Sequence, residues 1–310
     1  MKQHRFTLPA FAKINLSLRV LGRRLEDGYH EIDTLLQTTT LCDHLTFEAR
    51  QDNLTEIICD ASDIPTDETN LIHRAAVRLR ERYQVKNAGA RIELTKRIPA
   101  GGGLGGGSSD AAIALLGLAR LWQIETSKNE LVEIGKKIGA DVPFFFTGGT
   151  ARGTDTGTKI VPLVDAPARH LLIVTPNEHV STAEAYCLLR APVLTTENRL
   201  AILLSSRVVV ENMEPLDCDF HNDFESVIFS VRPDIERAKA ALMAAEAQYA
   251  SLSGSGASVF GIFGSEAEQS RAQAIISRVA DWEVFNCTTL TRADYVSKLH
   301  ALGDYRSLLI

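Results

Sequence analysis

Residues 101–107 read Gly-Gly-Gly-Leu-Gly-Gly-Gly, six glycines in seven positions, and lead directly into Ser108-Ser109-Asp110 and an apolar helical run. A segment almost free of Cβ atoms can turn successive backbone N–H groups into one hollow. A helix starting just behind it adds unbonded N–H groups and the positive end of its dipole. Together they make an anion site suited to a di- or triphosphate. The helix is expected from Ser108 to Trp122. Ser108 or Ser109 would be its cap, and Ala112, Leu115, Leu116, Ala119 and Trp122 its buried stripe.

Several familiar phosphate sites are excluded. The run contains a G-x-G-x-x-G match (Gly101, Gly103, Gly106), which is weak on its own. A dinucleotide fold needs a second strand ending in an acidic residue, and here one helical stretch follows another. Neither a G-x-x-x-x-G-K-[ST] loop nor the protein-kinase catalytic-loop pattern occurs. A surface linker fits poorly, because a strand-like stretch and a strong helix flank the run directly.

Composition narrows the partners. The formal net charge of −6 argues against an extended nucleic-acid surface, so an anion must be held by local groups. No apolar run reaches membrane-spanning length and no signal-like segment follows Met1, so no membrane partner is expected. The five cysteines (Cys42, Cys59, Cys187, Cys218, Cys287) include no CxxC pair. Neither a zinc site nor a disulfide framework is indicated, and a cytoplasmic setting is expected. A length of 310 residues suggests two domains, 1–160 and 161–310.

Alternation predicts strands around Ile14–Val20, Thr34–Leu41, Leu45–Ala49, Leu54–Cys59 and Ala90–Thr95. Helices are expected over Asn70–Tyr83 and over Lys128–Ile138, the latter ending on Gly139. Gly148 to Gly157 is rich in turn residues. The second half mixes strands (His170–Thr175, Ser258–Phe263, Glu283–Thr289) with helices (Asp234–Gln248, Glu266–Val279). Ala191 to Asp219 is left as mixed helix and loop.

Four other stretches could carry chemistry. Lys13 and Asn15 alternate on one strand face, either an ordinary polar face or part of a site. Asp27-Gly28-Tyr29-His30 offers a ring and an imidazole for a flat ligand, or is a plain hairpin turn. Asp141 lies between a helix end and an apolar strand-like run, where it needs a cation such as Lys13; a structural ion pair would satisfy it equally. Leu252 to Ser258 is a second small-residue loop, which either approaches a ligand or simply turns.

These five stretches, in this order, resemble the GHMP kinase superfamily over nearly the whole chain. The lengthened glycine loop, Pro99 to Ser109, is similar to that of one branch. Members of that branch phosphorylate a small-molecule polyol carrying a cytidine diphosphate group, on the non-mevalonate route to isoprenoid precursors. The resemblance implies an α+β, two-domain GHMP kinase fold with a left-handed βαβ crossover in the first domain. The second domain would be ferredoxin-like, with the active site in the interdomain cleft. ATP would be the co-substrate with Mg²⁺, and transfer would be direct.

By position, the resemblance makes Asp141 the base, with Lys13 beside it. Asn15 would hold the polyol. Tyr29 and His30 would bind the cytosine, opposite a second wall of Thr182 and Tyr186. Asn70, Leu71 and Lys96 fall near the adenine and ribose. Gly101, Gly102, Gly103, Leu104, Gly105, Gly106, Gly107, Ser108 and Ser109 would embrace the phosphates. No protein ligand for the metal is assigned, so the ion is expected on phosphates and water. A monomer or weak homodimer is expected. Tyr186 stands where some members carry Phe, and residues 153–158 lack a glutamate common in relatives. Two other readings stay open: a sister GHMP kinase without a cytidine site, and a nucleotide-binding module without turnover.

Overall fold

The longest strands of the chain are also the first. β1 (Phe6–Arg24) and β2 (His30–Arg50) pair antiparallel, joined by the Asp27-Gly28 turn. Register shifts at Phe11/Lys13, Asn15/Ser17 and Val20/Gly22 interrupt the ladder, and such bulges re-aim side chains. The computed structural model describes residues 5–86, 88–195 and 220–309. The expected region 191–219 therefore lies mostly outside the described residues, as does Cys218.

β2 is a single strand where the sequence pattern predicts two. Asp43 falls in the gap between the two predicted strands. Instead it is fully buried inside the strand, where its carboxylate accepts from the N–H groups of Arg97 (2.6 Å) and Ile98 (2.8 Å) and meets the Lys96 ammonium. A buried charge is tolerated in a strand when it is satisfied in this way.

β3 (Thr55–Cys59), α1 (Leu71–Tyr83) and β4 (Gly89–Thr95) form a parallel βαβ unit on the edge of the sheet, in the order β3-β4-β2-β1. α2 follows over Gly106–Leu121, then α3 over Lys128–Lys136. α3 opens on a Ser127–Glu130 capping box, and its C-cap is Lys137 rather than the expected Gly139. Val142–Phe146 is a 3₁₀ helix, not a strand: Pro143 sits in its first turn, and its three phenylalanines are buried. Tyr295 Oη donates to the Phe145 carbonyl at 2.6 Å and holds it there. The turn-rich stretch after Gly149 includes strand β5 (Thr150–Thr154), paired with β2 and with β6 (Lys159–Pro162).

The second layer contains β7 (His170–Thr175), α4 (Thr182–Leu189), α5 (Glu225–Val231), α6 (Pro233–Ala244), β9 (Tyr249–Leu252), β10 (Val259–Phe263), α7 (Glu266–Ile276) and β11 (Glu283–Thr288). The short β8 (Val193–Leu194) lies between α4 and α5 in the chain but joins β1. The other four strands form an antiparallel sheet ordered β11-β7-β10-β9, the ferredoxin-like arrangement. Ala12, Ile14, Leu104, Leu171, Phe260 and Ile262 share one apolar cluster, so residues of the two sheets are packed together. The chain then returns through α8 (Arg292–Lys298), and Leu290, Tyr295, Leu302 and Leu309 join the core of the first sheet.

Candidate active site

The glycine loop is held at both ends and in the middle. Leu104 is buried, and its carbonyl accepts from the Lys13 N–H at 2.9 Å. Behind it, α2 begins earlier than the sequence suggests. Its N-cap is Gly105, at φ +69° with no side-chain cap, and Ser109 N–H already bonds back to the Gly105 carbonyl at 2.8 Å. Ser108 and Ser109 therefore lie inside the first turn. A glycine can start the helix here because the left-handed conformation costs it no Cβ clash. The N–H groups of Gly106, Gly107 and Ser108 precede the first intrahelical bond and are the open donors of the helix end.

The second small-residue loop packs onto the first. Ser253 Oγ donates to the Gly103 carbonyl at 3.0 Å, and Ser258 N–H donates to the Gly102 carbonyl at 3.2 Å. This loop is fixed by Asn222, a residue with no recognisable signal in the sequence. Asn222 Nδ2 donates to the carbonyls of Leu252 (2.8 Å) and Gly254 (2.9 Å). Its neighbours clamp β1: Leu18 N–H donates to His221 O at 2.7 Å, and Val20 N–H to Asp223 Oδ2 at 2.6 Å. One segment thus ties β1 to the loop opposite it.

Lys13 is buried in β1. Its ammonium donates to Asn15 Oδ1 at 2.7 Å and stands 3.5 Å from Asp141 Oδ2. Asn15 Nδ2 donates to Thr34 Oγ1 at 2.7 Å, which in turn donates to the Ser17 carbonyl at 2.7 Å. The bulged strand, the turn after α3 and the glycine loop therefore meet at one point.

Around that point lies a cleft of about 1670 Å³. It is lined by Lys13, Asn15, Tyr29, His30, Asn70, Leu71, Lys96, Gly101–Gly107, Ser108, Asp141, Thr182 and Tyr186. Ser109 is the one expected site residue that does not reach it: the helix turns its side chain inward, fully buried, with Oγ unbonded. Among the described residues, eight basic ones (Lys13, Arg23, Arg24, Arg74, Lys96, Lys136, Lys137, Arg190) line the cleft against three acids (Asp27, Asp110, Asp141). An acidic chain has gathered its positive charge locally, as an anionic ligand requires.

Individual residues differ from simple expectation. Asn70 is the N-cap of α1: its Oδ1 accepts from Ile72 N–H at 2.8 Å, and its Nδ2 donates to Pro65 O at 2.6 Å. Its amide is thus already engaged at the cleft wall. Lys96 is not a free cation, since Asp43 and Asp110 (3.3 Å) both pair with it at the side of the α2 N-terminus. The sequence reading missed both carboxylates.

At the other end, the His30 and Tyr186 rings stack directly, 4.4 Å between centroids and 19° between planes, and Phe224 meets Tyr186 edge-on at 5.0 Å. Tyr29 is exposed beside them. Thr182 Oγ1 lies 3.3 Å from Ser255 Oγ, joining this wall to the second loop. Burial, then the charge of Arg23, holds His30 below the ordinary imidazole range. Burial, then the Asp141 carboxylate, pushes the Tyr186 phenol up to about 12. The phenol stays a neutral donor, and its ring feels Asp141 across the cleft.

Residues 70–149 match the model of the GHMP kinases N terminal domain, and residues 209–281 that of the GHMP kinases C terminal. The chain is 39% identical over 84% of its length to a 4-diphosphocytidyl-2-C-methyl-D-erythritol kinase of Caldicellulosiruptor bescii, covering 90% of that protein. It is 40% identical over 88% of its length to one of Pseudomonas aeruginosa, again covering 90%. A crystal structure of 4-(cytidine 5'-diphospho)-2C-methyl-D-erythritol kinase superposes with a TM-score of 0.72 at 32% identity, over 92% of this chain and 99% of that one. The homoserine kinase of Cytophaga hutchinsonii shares the fold, with a TM-score of 0.67 at 18% identity over 94% and 96% of the two chains. The chain belongs to the GHMP kinase family, within the group of the 4-diphosphocytidyl-2-C-methyl-D-erythritol kinases.

Proposed function

We propose that this enzyme transfers the γ-phosphoryl group of ATP to the 2-hydroxyl of 4-diphosphocytidyl-2-C-methyl-D-erythritol, with Asp141 as the base. The observation that carries the reading is one cleft holding three things together. They are the open N–H groups at the α2 end, the Lys13–Asp141 pair 3.5 Å apart, and the His30–Tyr186 ring wall. Asp141 takes the proton of the hydroxyl as its oxygen bonds to the γ-phosphorus. The bond from that phosphorus to the bridging oxygen breaks, and ADP leaves. Phosphoryl transfer asks the protein mainly for position and charge. The glycine loop and Lys13 supply both, and Asn15 holds the Lys13 ammonium in line. Tyr29, His30, Thr182 and Tyr186 recognise the cytidine. Asn70, Leu71 and Lys96 form the wall for adenine and ribose.

Among the oxygen-bearing side chains that line the cleft, the Ser108 hydroxyl at the α2 end and the Asp141 carboxylate fit an ion held chiefly by the ATP phosphates and water. Mg²⁺ bound there neutralises phosphate charge. ADP release from ATP-Mg with the cytidylyl substrate tests the reading, with mevalonate and homoserine as controls. Turnover with a control alone assigns the chain to a sister activity. ATP binding without turnover of any of the three overturns the kinase reading.

A further inference from the structure

Three arginines of the cleft, Arg23, Arg74 and Arg190, have no ion-pair partner among the described residues, and two of them, Arg23 and Arg190, adjoin the ring wall. Arg23 is the ladder partner of His30 in the β1–β2 pair. Arg190 is the C-cap of α4, four residues after Tyr186. Each arginine thus adjoins one ring of the stacked pair. The two backbones also meet, since Arg23 N–H donates to Pro192 O at 2.8 Å and Arg23 pairs with Val193 of β8. Both side chains line the cleft.

The contrast with their neighbours is informative. Arg24 is tied to Asp27 at 2.7 Å and to Asp155. Glu184 of α4 is engaged by Arg232 at 3.1 Å. Neither Arg23 nor Arg190 has an ion-pair partner among the described residues. The Arg23 charge is felt at the His30 ring, which it helps to hold below its ordinary pKa. A polyanion bound in the cleft would meet two guanidinium charges that have no carboxylate partner among the described residues. Guanidinium also matches phosphate oxygens in a two-point fork, which a lone ammonium does not.

We propose that Arg23 and Arg190 form the subsite for the diphosphate bridge of a pyrimidine nucleoside diphosphate ester, and so set the preference for a charged substrate over a plain nucleoside. The proposal rests on the function proposed above. The rings receive the base, and the arginines receive the charge attached to it. The glycine loop is left to the phosphates of the second nucleotide.

Equilibrium binding of cytidine and of cytidine 5'-diphosphate to the full-length protein tests this, with a non-hydrolysable ATP analogue saturating the glycine loop. The wild type is compared with Arg23→Gln/Arg190→Gln and with Arg23→Lys/Arg190→Lys. In the wild type the diphosphate should bind at least about tenfold more tightly than cytidine, and the advantage should shrink with added salt. The glutamine variant should lose most of that advantage while its cytidine affinity and Tm hold. The lysine variant should keep part of it. An equal advantage in wild type and glutamine variant, with cytidine bound by both, overturns the subsite alone; so does a wild type that binds both probes equally. A wild type that binds neither probe overturns the cytidine reading and the subsite with it.

Discussion

Lys13 Nζ and Asp141 Oδ2 stand 3.5 Å apart, with the lysine side chain 4% exposed and the aspartate 39%. The asymmetry fits the proposed roles. Lys13 is locked by Asn15 and has little freedom to meet a ligand by moving. The carboxylate is half-open at the cleft, and the separation is longer than a charge-assisted hydrogen bond of about 2.8 Å. Asp141 therefore keeps lone pairs for a further proton.

Replacing Asp141 with Asn preserves shape and removes the proposed base. ATP and substrate affinities should stay within about tenfold of wild type, while kcat falls at least ~10²-fold. Steady-state kinetics with separate binding measurements check this. Near-normal turnover in the variant means that Asp141 only orients the hydroxyl and that the proton leaves by another route.

Tyr186 carries the ring wall, stacked on His30 and braced by Phe224. Tyr186→Phe should keep the stack and change KM for the cytidylyl substrate by less than about fivefold. Tyr186→Ala removes the proposed base–ring contact, worth about 1–3 kcal/mol, and should raise that KM by roughly 10–100-fold. KM for ATP should be nearly unchanged in both. Equal changes in the two KM values would place Tyr186 outside the substrate site.

Two glycines of the loop should respond in opposite ways. Gly103 has φ +71°, and a Cβ there would stand 2.0 Å from the Ser253 carbonyl oxygen. Gly103→Ala must therefore push the two loops apart, with loss of both ATP binding and thermal stability. A Cβ at Gly107 would meet only Leu71 Cδ1, at 3.6 Å, an ordinary contact. Gly107→Ala should fold as the wild type does, and its Tm should be equal or higher, because alanine favours a helix over glycine by about 1 kcal/mol. Calorimetry on the two variants settles the contrast. A Gly103→Ala protein as stable as wild type would show that the loops are not in rigid contact.

What was legible in the chain follows from the range of the interactions concerned. The glycine run could be read because its function depends on missing side chains, a local property. β7 runs from His170 to Thr175 as its strand-like apolar run predicts, because a strand buried on both faces carries that run in neighbouring residues. The continuity of β2 through Asp43 could not be read. It depends on the N–H groups of Arg97 and Ile98, more than fifty positions away. The 3₁₀ turn at Val142–Phe146 was hidden for the same reason, since Tyr295 receives it from the far end of the chain. Lys13 and Asp141 were recognisable as a pair only because a carboxylate expected to be partly buried needs a cation. The bulges that bring them together leave no mark in composition. Asn222 shows the limit: nothing near it in sequence announces a residue that holds a loop thirty positions on.

The last expectation concerns pH. Asp110 is wholly buried beside the α2 N-terminus, and its Oδ1 has no partner. Burial raises its carboxyl from an ordinary 3.8 to about 8, with Lys96 pulling it down and Asp43 pushing it up again. Lys96 is itself drawn down by burial, but Asp110 and Asp43 outweigh this and leave it raised. In the unfolded chain Asp110 releases its proton near 3.8, whereas the folded protein holds it to about 8. The stability this contributes is full below the lower value and is lost as pH climbs through the higher one. Asp110→Asn keeps the shape and removes the titration. Between about pH 5 and about pH 9 the wild-type Tm should fall relative to that of the variant. Thermal melts of both proteins across that range decide the matter: parallel curves would mean that Lys96 keeps Asp110 ionised throughout.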